Sequence, residues 1–241
     1  DQGGTPSGSY YYIGRNHIYS TRENAIDVKQ ARHAVISENV MHGFAATSSS
    51  SGEAVVIHYA PQGIWFLNNT IYDSARGINS SGVGTDCYVI GNMVYNCSEY
   101  GLYLDRGGGT FHVINNTVAS CQNGIVTSGT VSALHYRNNL ITEITSAAGF
   151  HLQISSSTVA AKSTASNLLF YQPSGTVRIL WSGRTYTDVP SWMSATGTGQ
   201  GSFARDPLYL DAASRNYRLR AGSPAIDAGI SVSEYDNTFQ A

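Results

Sequence analysis

Charge is scarce in this chain. Of 241 residues only 12% are Asp, Glu, Lys or Arg, and the formal net charge is −2. A nucleic-acid partner is recognised through a basic stripe, so none is expected here. Long apolar runs are also missing: none approaches the roughly 18 residues needed to span a bilayer as a helix, and no membrane contact is expected. Cysteine is limited to three residues without metal-ligand spacing. No signal peptide is visible. The chain opens at Asp1 rather than Met, as a trimmed secreted protein would. An extracellular location is the resulting expectation. Low charge combined with 11% aromatic residues argues against disorder.

What the chain does have is a repeat. Asparagines fall at 16, 39, 69, 92, 116, 139 and 167, with gaps of 23, 30, 23, 24, 23 and 28 residues. A unit of about 23 residues is too short for helix-pair solenoids and lacks the leucine pattern of leucine-rich repeats. Each unit contains three short runs of alternating apolar residues separated by Gly, Asn and Ser, which reads as three strands per turn. Stacked turns of this kind make a parallel β-helix.

Aligning the units fixes the faces. In the first strand of each turn Ile26, Val55, Ile78, Leu102, Ile125 and Phe150 should point inward. The second strand precedes the asparagine and should bury Ala34, Ile64, Cys87, Phe111 and Leu134. The third follows it and should bury Ile18, Met41, Ile71, Val94, Val118 and Ile141. An inward asparagine needs hydrogen-bond partners, and its counterparts on adjacent coils would supply them. Cys97 and Cys121 stack on neighbouring coils about 4.8 Å apart, close enough for a disulfide, although two buried free thiols in a stacked row are the favoured reading.

With this ladder the chain resembles the pectate-lyase-like superfamily of right-handed parallel β-helices, over about residues 9–170. The expectation is an all-β solenoid of three sheets and about six coils, spanning 1–170. Residues 171–241 should form an irregular C-terminal segment that packs on and closes the same domain. The run Arg205–Asp211 followed by Asn216–Gly229, with its Ser-Pro-Ala-Ile-Asp-Ala-Gly, is similar to the closing segment of many secreted bacterial β-helix proteins. The start is less tidy, because the chain opens inside the second strand of its first coil near Tyr10–Ile13. Either residues 1–9 and the three tyrosines close that end, or further coils precede it.

In the resembled superfamily substrate lies along the outer face of the first sheet. Two outward rows fall there: Asp27, Val56, Asn79, Tyr103, Val126, His151, and Lys29, His58, Ser81, Asp105, Ser128, Gln153. Flanking loops add Glu23, Glu53, Arg76, Glu99, Arg32 and Arg106, and the insertion 45–52 enters beside them as a groove wall. Outward strand positions are polar simply because they face water, and that explains many of these. The functional reading is that Lys29 and His58 share one column on consecutive coils.

β-Elimination of a uronate polymer needs a base for the C5 proton, a cation for the enolate and an acid for the leaving oxygen. Lys29 would be the base and His58 or Tyr103 the acid. Arg76, Asn79, Asp105 and Arg106 would bind substrate. Glu23-Asn-Ala-Ile-Asp-Val-Lys29 resembles the catalytic coil of the chondroitinase B and alginate lyase family, which implies calcium held by acidic residues. Lys29 matches the family's lysine, whereas His58 stands where the family has arginine. Glu23 is one residue out of register, with Asp27 and Glu53 as the other candidate ligands.

The expected function is therefore a secreted lyase acting on an acidic polysaccharide. A glycoside hydrolase would instead need two carboxylates roughly 5–9 Å apart, with Asp27 and Glu53 the better pair. A third reading is a non-catalytic adhesin or tailspike. It would use the outward aromatic rows Trp65, Tyr88, His112 and Tyr19, His42, Tyr72, Tyr95, unless those rings merely stack on one another or lie under the C-terminal segment.

Overall fold

The structure is a computed structural model that describes residues 8–21 and 23–233. Three parallel sheets wrap one core. The first runs from Ile26–Lys29 through Glu53–His58, Arg76–Ser80, Tyr100–Leu104, Asn123–Thr127 and Leu152–Ile154 to Ile179–Trp181. The second begins at Ser9–Gly14 and the third at His17–Tyr19. Each strand pairs with its counterpart one coil away, so contacts are made between neighbouring turns, as in any solenoid.

The alternation in sequence produces the core directly. Ile26 pairs with Val55, Val55 with Ile78, Ile78 with Leu102 and Leu102 with Ile125. All five are buried, as are the predicted columns of the other two sheets apart from the half-buried Ile18. Aligned burial of this kind contributes roughly 25 cal/mol per Å² of apolar surface.

Asparagine joins the coils between the second and third sheets. Asn69 donates its backbone N–H and its Nδ2 to Asn92 Oδ1 at 3.0 and 2.9 Å. The same pattern links 16 to 39, 39 to 69, 92 to 116 and 116 to 139. Immediately before each rung the backbone turns left-handed, at Arg15, Glu38, Asn68, Gly91, Asn115 and Asn138. Asn and Gly tolerate that conformation best, and they take four of these six positions.

Three sequence expectations are corrected. Asn167 is not a rung: it has φ +51° and occupies the left-handed position, while Leu168 behind it takes the buried slot. The ladder therefore ends at Asn139. Secondly, the first-sheet register shifts in the sixth coil, where Ile125 pairs with Leu152 rather than Phe150. Gln153 then follows Val126 in the Asp27 row, and His151 leaves the outer face. His151 lies opposite Gly124, at the corner where Gly77 and Gly101 stand on earlier coils. A Cβ on those glycines would meet Val94 and Val118, whereas the His151 ring lies edge-on to Phe170 at 6.2 Å. Thirdly, the described residues make seven coils rather than about six, because 164–181 completes another turn.

The far end is closed by helix Val189–Thr196. Asp188 caps it by accepting from the Ser191 N–H at 2.7 Å, and Gly197 ends it at φ +69°. Its Trp192 is fully buried against Phe170 and Trp181. Residues 205–229 lie elsewhere. Their hairpin, Tyr209–Asp211 with Asn216–Leu219, covers the flank of the third sheet, burying Tyr209 and Tyr217 against Tyr95 and Ala119. Residues 1–7, invoked above as a cap for the near end, lie outside the described residues.

Candidate functional site on the first sheet

Asp27 and Lys29 point outward because Ile26 and Val28 point inward, and register places Lys29 beside His58. Asp27 bridges the other two. Its Oδ2 is 3.0 Å from Lys29 Nζ, and its Oδ1 is 2.7 Å from His58 Nε2. The second approach is short but lies off the ring N–H axis, so it is an electrostatic contact rather than a full hydrogen bond. His58 also packs on the ring of Tyr59 at 4.4 Å. Asp27 raises the Lys29 pKa through its hydrogen bond and its charge, which holds the ammonium in its charged form.

A second group spans the next coils. Arg76 Nε donates to Glu99 Oε2 at 2.7 Å, and Nη1 to Glu53 Oε1 at 3.4 Å. Asn79 Nδ2 donates to the same Glu53 oxygen at 3.1 Å. Tyr100 and Tyr103 lie under the guanidinium at 5.6 and 5.9 Å. Arg76 is thus a cross-coil tie held by two carboxylates. The loop 46–51 faces Arg76 and Glu99 across a hollow of about 400 Å³, where the sequence placed a groove wall.

The Tyr103 hydroxyl points the other way along the axis, 2.7 Å from Ser128 Oγ and 3.5 Å from Asp105. Asp105 is itself buried, accepts from the Gly129 N–H and stands 3.7 Å from Arg106 Nε. Two strand spacings of about 4.8 Å separate the Tyr103 strand from that of His58. The structure therefore brings Lys29, Asp27 and His58 together and keeps Tyr103, Asp105 and Arg106 apart from them. Glu23 is exposed and makes no ion pair among the described residues. Sequence reasoning missed the partners: Glu99 for Arg76, Ser128 for Tyr103, and Tyr59 against His58. Each sits in the adjacent coil or the next residue, so the column alignment held the signal.

Calcium is a poor match to this donor set. Asp27 already faces Lys29 and His58, and Glu53 already accepts from Arg76 and Asn79. Among the described residues no three His, Cys, Asp or Glu side chains converge as a metal site. None of the chemistry below is routed through a metal.

The aromatic rows are stacked on themselves. Tyr19, His42, Tyr72 and Tyr95 lie ring on ring at 5.3, 4.5 and 5.1 Å with interplanar angles of 3–9°. Trp65, Tyr88 and His112 do the same at 3.6 and 4.6 Å. Sugars stack on ring faces, and most of these faces are taken by neighbouring rings.

Among the described residues no helix is long and apolar enough to cross a membrane. Comparison with curated proteins and with solved structures gave no significant match. A family model for the right-handed β-helix region does match, over residues 5–170. That span covers the first six coils, the asparagine ladder and the Lys29–Asp27–His58 cluster, and the chain belongs to the right-handed β-helix family.

Proposed function

We propose that this protein is an extracellular polysaccharide lyase that cleaves a uronate-containing glycan by β-elimination at Lys29 and His58. The observation that carries this reading is the Asp27 carboxylate standing between an ammonium and an imidazole on the outer face of the first sheet. The roles follow from charge. Asp27 keeps Lys29 protonated, which suits it to hold the substrate carboxylate rather than to remove a proton. An ammonium has three donors and Asp27 engages one, leaving two for the sugar.

The proton then falls to His58. Asp27 faces Nε2, which leaves Nδ1 as the nitrogen for the substrate. Nδ1 would take the C5 proton as the C4–O bond breaks and a C4–C5 double bond forms. The same nitrogen would return that proton to the departing C4 oxygen, so the imidazole ends neutral. Positioned acid–base groups of this kind accelerate such steps by about 10²–10⁴.

The test is ultraviolet absorbance of the unsaturated product from alginate, pectate and glycosaminoglycans, each with and without calcium. Signal from one polymer, abolished in His58→Ala, supports the proposal. Reducing ends without that absorbance would make the protein a hydrolase. Binding without any product would make it an adhesin.

A further inference from the structure

The first sheet ends in a hairpin, Ile179–Trp181 with Arg184–Tyr186, six strand spacings of about 4.8 Å from the Lys29 strand. Ser182 at φ +56° and Gly183 at φ +76° form its two-residue turn, the left-handed pair that tight hairpins favour. Trp181 pairs with Arg184, and Ile179 with Tyr186. Paired residues share a face, as do residues two apart on one strand. Trp181, Arg184 and Tyr186 therefore lie on one side, with the Arg184 guanidinium 5.2 Å over the Tyr186 ring. That side is one wall of a hollow of about 540 Å³. Helix Ser157–Ala160 with Thr164 forms another wall, and the C-terminal end of helix Val189–Thr196 a third.

We infer that this hollow is a second, non-catalytic binding site for an acidic sugar, with Arg184 holding the carboxylate. Arg76 and Arg215 each face a carboxylate. Arg184 is exposed and makes no ion pair among the described residues, and no carboxylate lines the hollow. Its planar fork matches a carboxylate with two parallel hydrogen bonds. Stacking on Tyr186 already orders the side chain, so less freedom is lost on binding.

The remaining walls suit a hydroxylated ring. The volume lies within the roughly 300–1,000 Å³ of small-ligand pockets. Ala160, Ala195 and the edges of Trp181 and Tyr186 offer apolar surface to the C–H face of a sugar. The Ser157 and Ser182 hydroxyls have no partner among the described residues and can donate or accept. Helix Val189–Thr196 ends at this wall, and the carbonyls of a last turn accept from groups outside the helix. The negative end of that helix opposes a bare inorganic anion, so the ligand must bring hydroxyls as well as charge.

The choice of a uronic acid rests on the glycan proposed above, and the test is made without turnover. Glucuronate, glucose and sulfate are titrated by ligand-observed nuclear magnetic resonance into the full chain carrying Lys29→Ala and His58→Ala, with and without Arg184→Gln. Glucuronate should bind, and both glucose binding and glucuronate binding to the Arg184→Gln chain should be weaker by about tenfold or more. Equal binding of glucose or sulfate, or an unchanged affinity in Arg184→Gln, would overturn the site. Binding seen only when Lys29 and His58 are present would return the ligand to the first-sheet cluster and overturn it too, as would no binding at all. Arg184→Gln alters an exposed side chain, so the coils remain folded. Glucuronate binding here without unsaturated product from any polymer would sink the lyase reading and leave this site standing. Product without binding here would do the reverse.

Discussion

Asn92 Nδ2 donates to Asn116 Oδ1 at 3.0 Å while Asn92 Oδ1 accepts two hydrogen bonds from Asn69. One amide therefore serves three consecutive coils. Asn92→Ala would leave the Asn69 N–H and one Nδ2 hydrogen of Asn69 without an acceptor inside the core. Each orphaned group costs about 1–3 kcal/mol. Chemical denaturation should show a loss of about 3 kcal/mol or more. Asn167→Ala, at the left-handed turn beyond the ladder, should cost only about 1 kcal/mol. Equal losses would mean that Asn167 is a rung after all.

His151 predicts an acid-sensitive fold. Burial inside the sixth coil, helped by the nearby Arg178 charge, lowers its pKa from 6.5 to about 4. The unfolded chain takes up that proton first as pH falls. The stabilising effect of a neutral His151 is thus complete above pH 6.5 and disappears as pH drops towards about 4. The total is about 3 kcal/mol at 1.36 kcal/mol per pKa unit. Denaturation midpoints measured across this window should fall in the wild type and flatten in His151→Gln.

Arg76 and its two carboxylates are unequal partners. Arg76→Ala strands the Glu53 side chain, which is 9% exposed, with Asn79 as its remaining donor. The expected cost is about 2 kcal/mol or more, because an uncompensated buried charge remains. Glu99→Ala removes a partner that is 35% exposed and should cost under about 1 kcal/mol. Thermal melts of the two variants should separate them, and a reversal of order would assign the tie to Glu99.

Within the proposed lyase, distance decides the roles. Asp27→Asn should lower turnover by about tenfold or more, since it removes the charge facing His58. Tyr103→Phe should leave turnover within about twofold, because its hydroxyl faces Ser128 rather than the His58 coil. A large loss in Tyr103→Phe would return the acid role to tyrosine.

The columns of the core were legible because strand alternation and the asparagine period agree at every coil from 26 to 141. Asn167 misled because asparagine suits two adjacent positions for different reasons: a buried amide at the rung, and tolerance of positive φ just before it. The sixth coil misled because Phe150, Leu152 and Ile154 alternate correctly in either of two registers, and a shift of two residues preserves the face. What alignment could not reveal was pairing. It set Arg76 one coil from both Glu53 and Glu99, but only side-chain geometry showed that both are engaged. Likewise it put Lys29 beside His58 without showing that Asp27 stands between them.

Cys87, Cys97 and Cys121 are buried and unbridged; burial pushes the Cys87 thiol far up in pKa, and the neighbouring Cys121 thiol together with burial does the same to Cys97. Thiolate is the reactive form, so the folded coils hold these cysteines inert. Their column placement makes them internal clocks. A thiol reagent added to the native protein can label a cysteine only when its own coil opens. Labelling rates at 87, 97 and 121 would then give the opening frequency of two neighbouring coils, the first sampled at two places, read out by the solenoid itself.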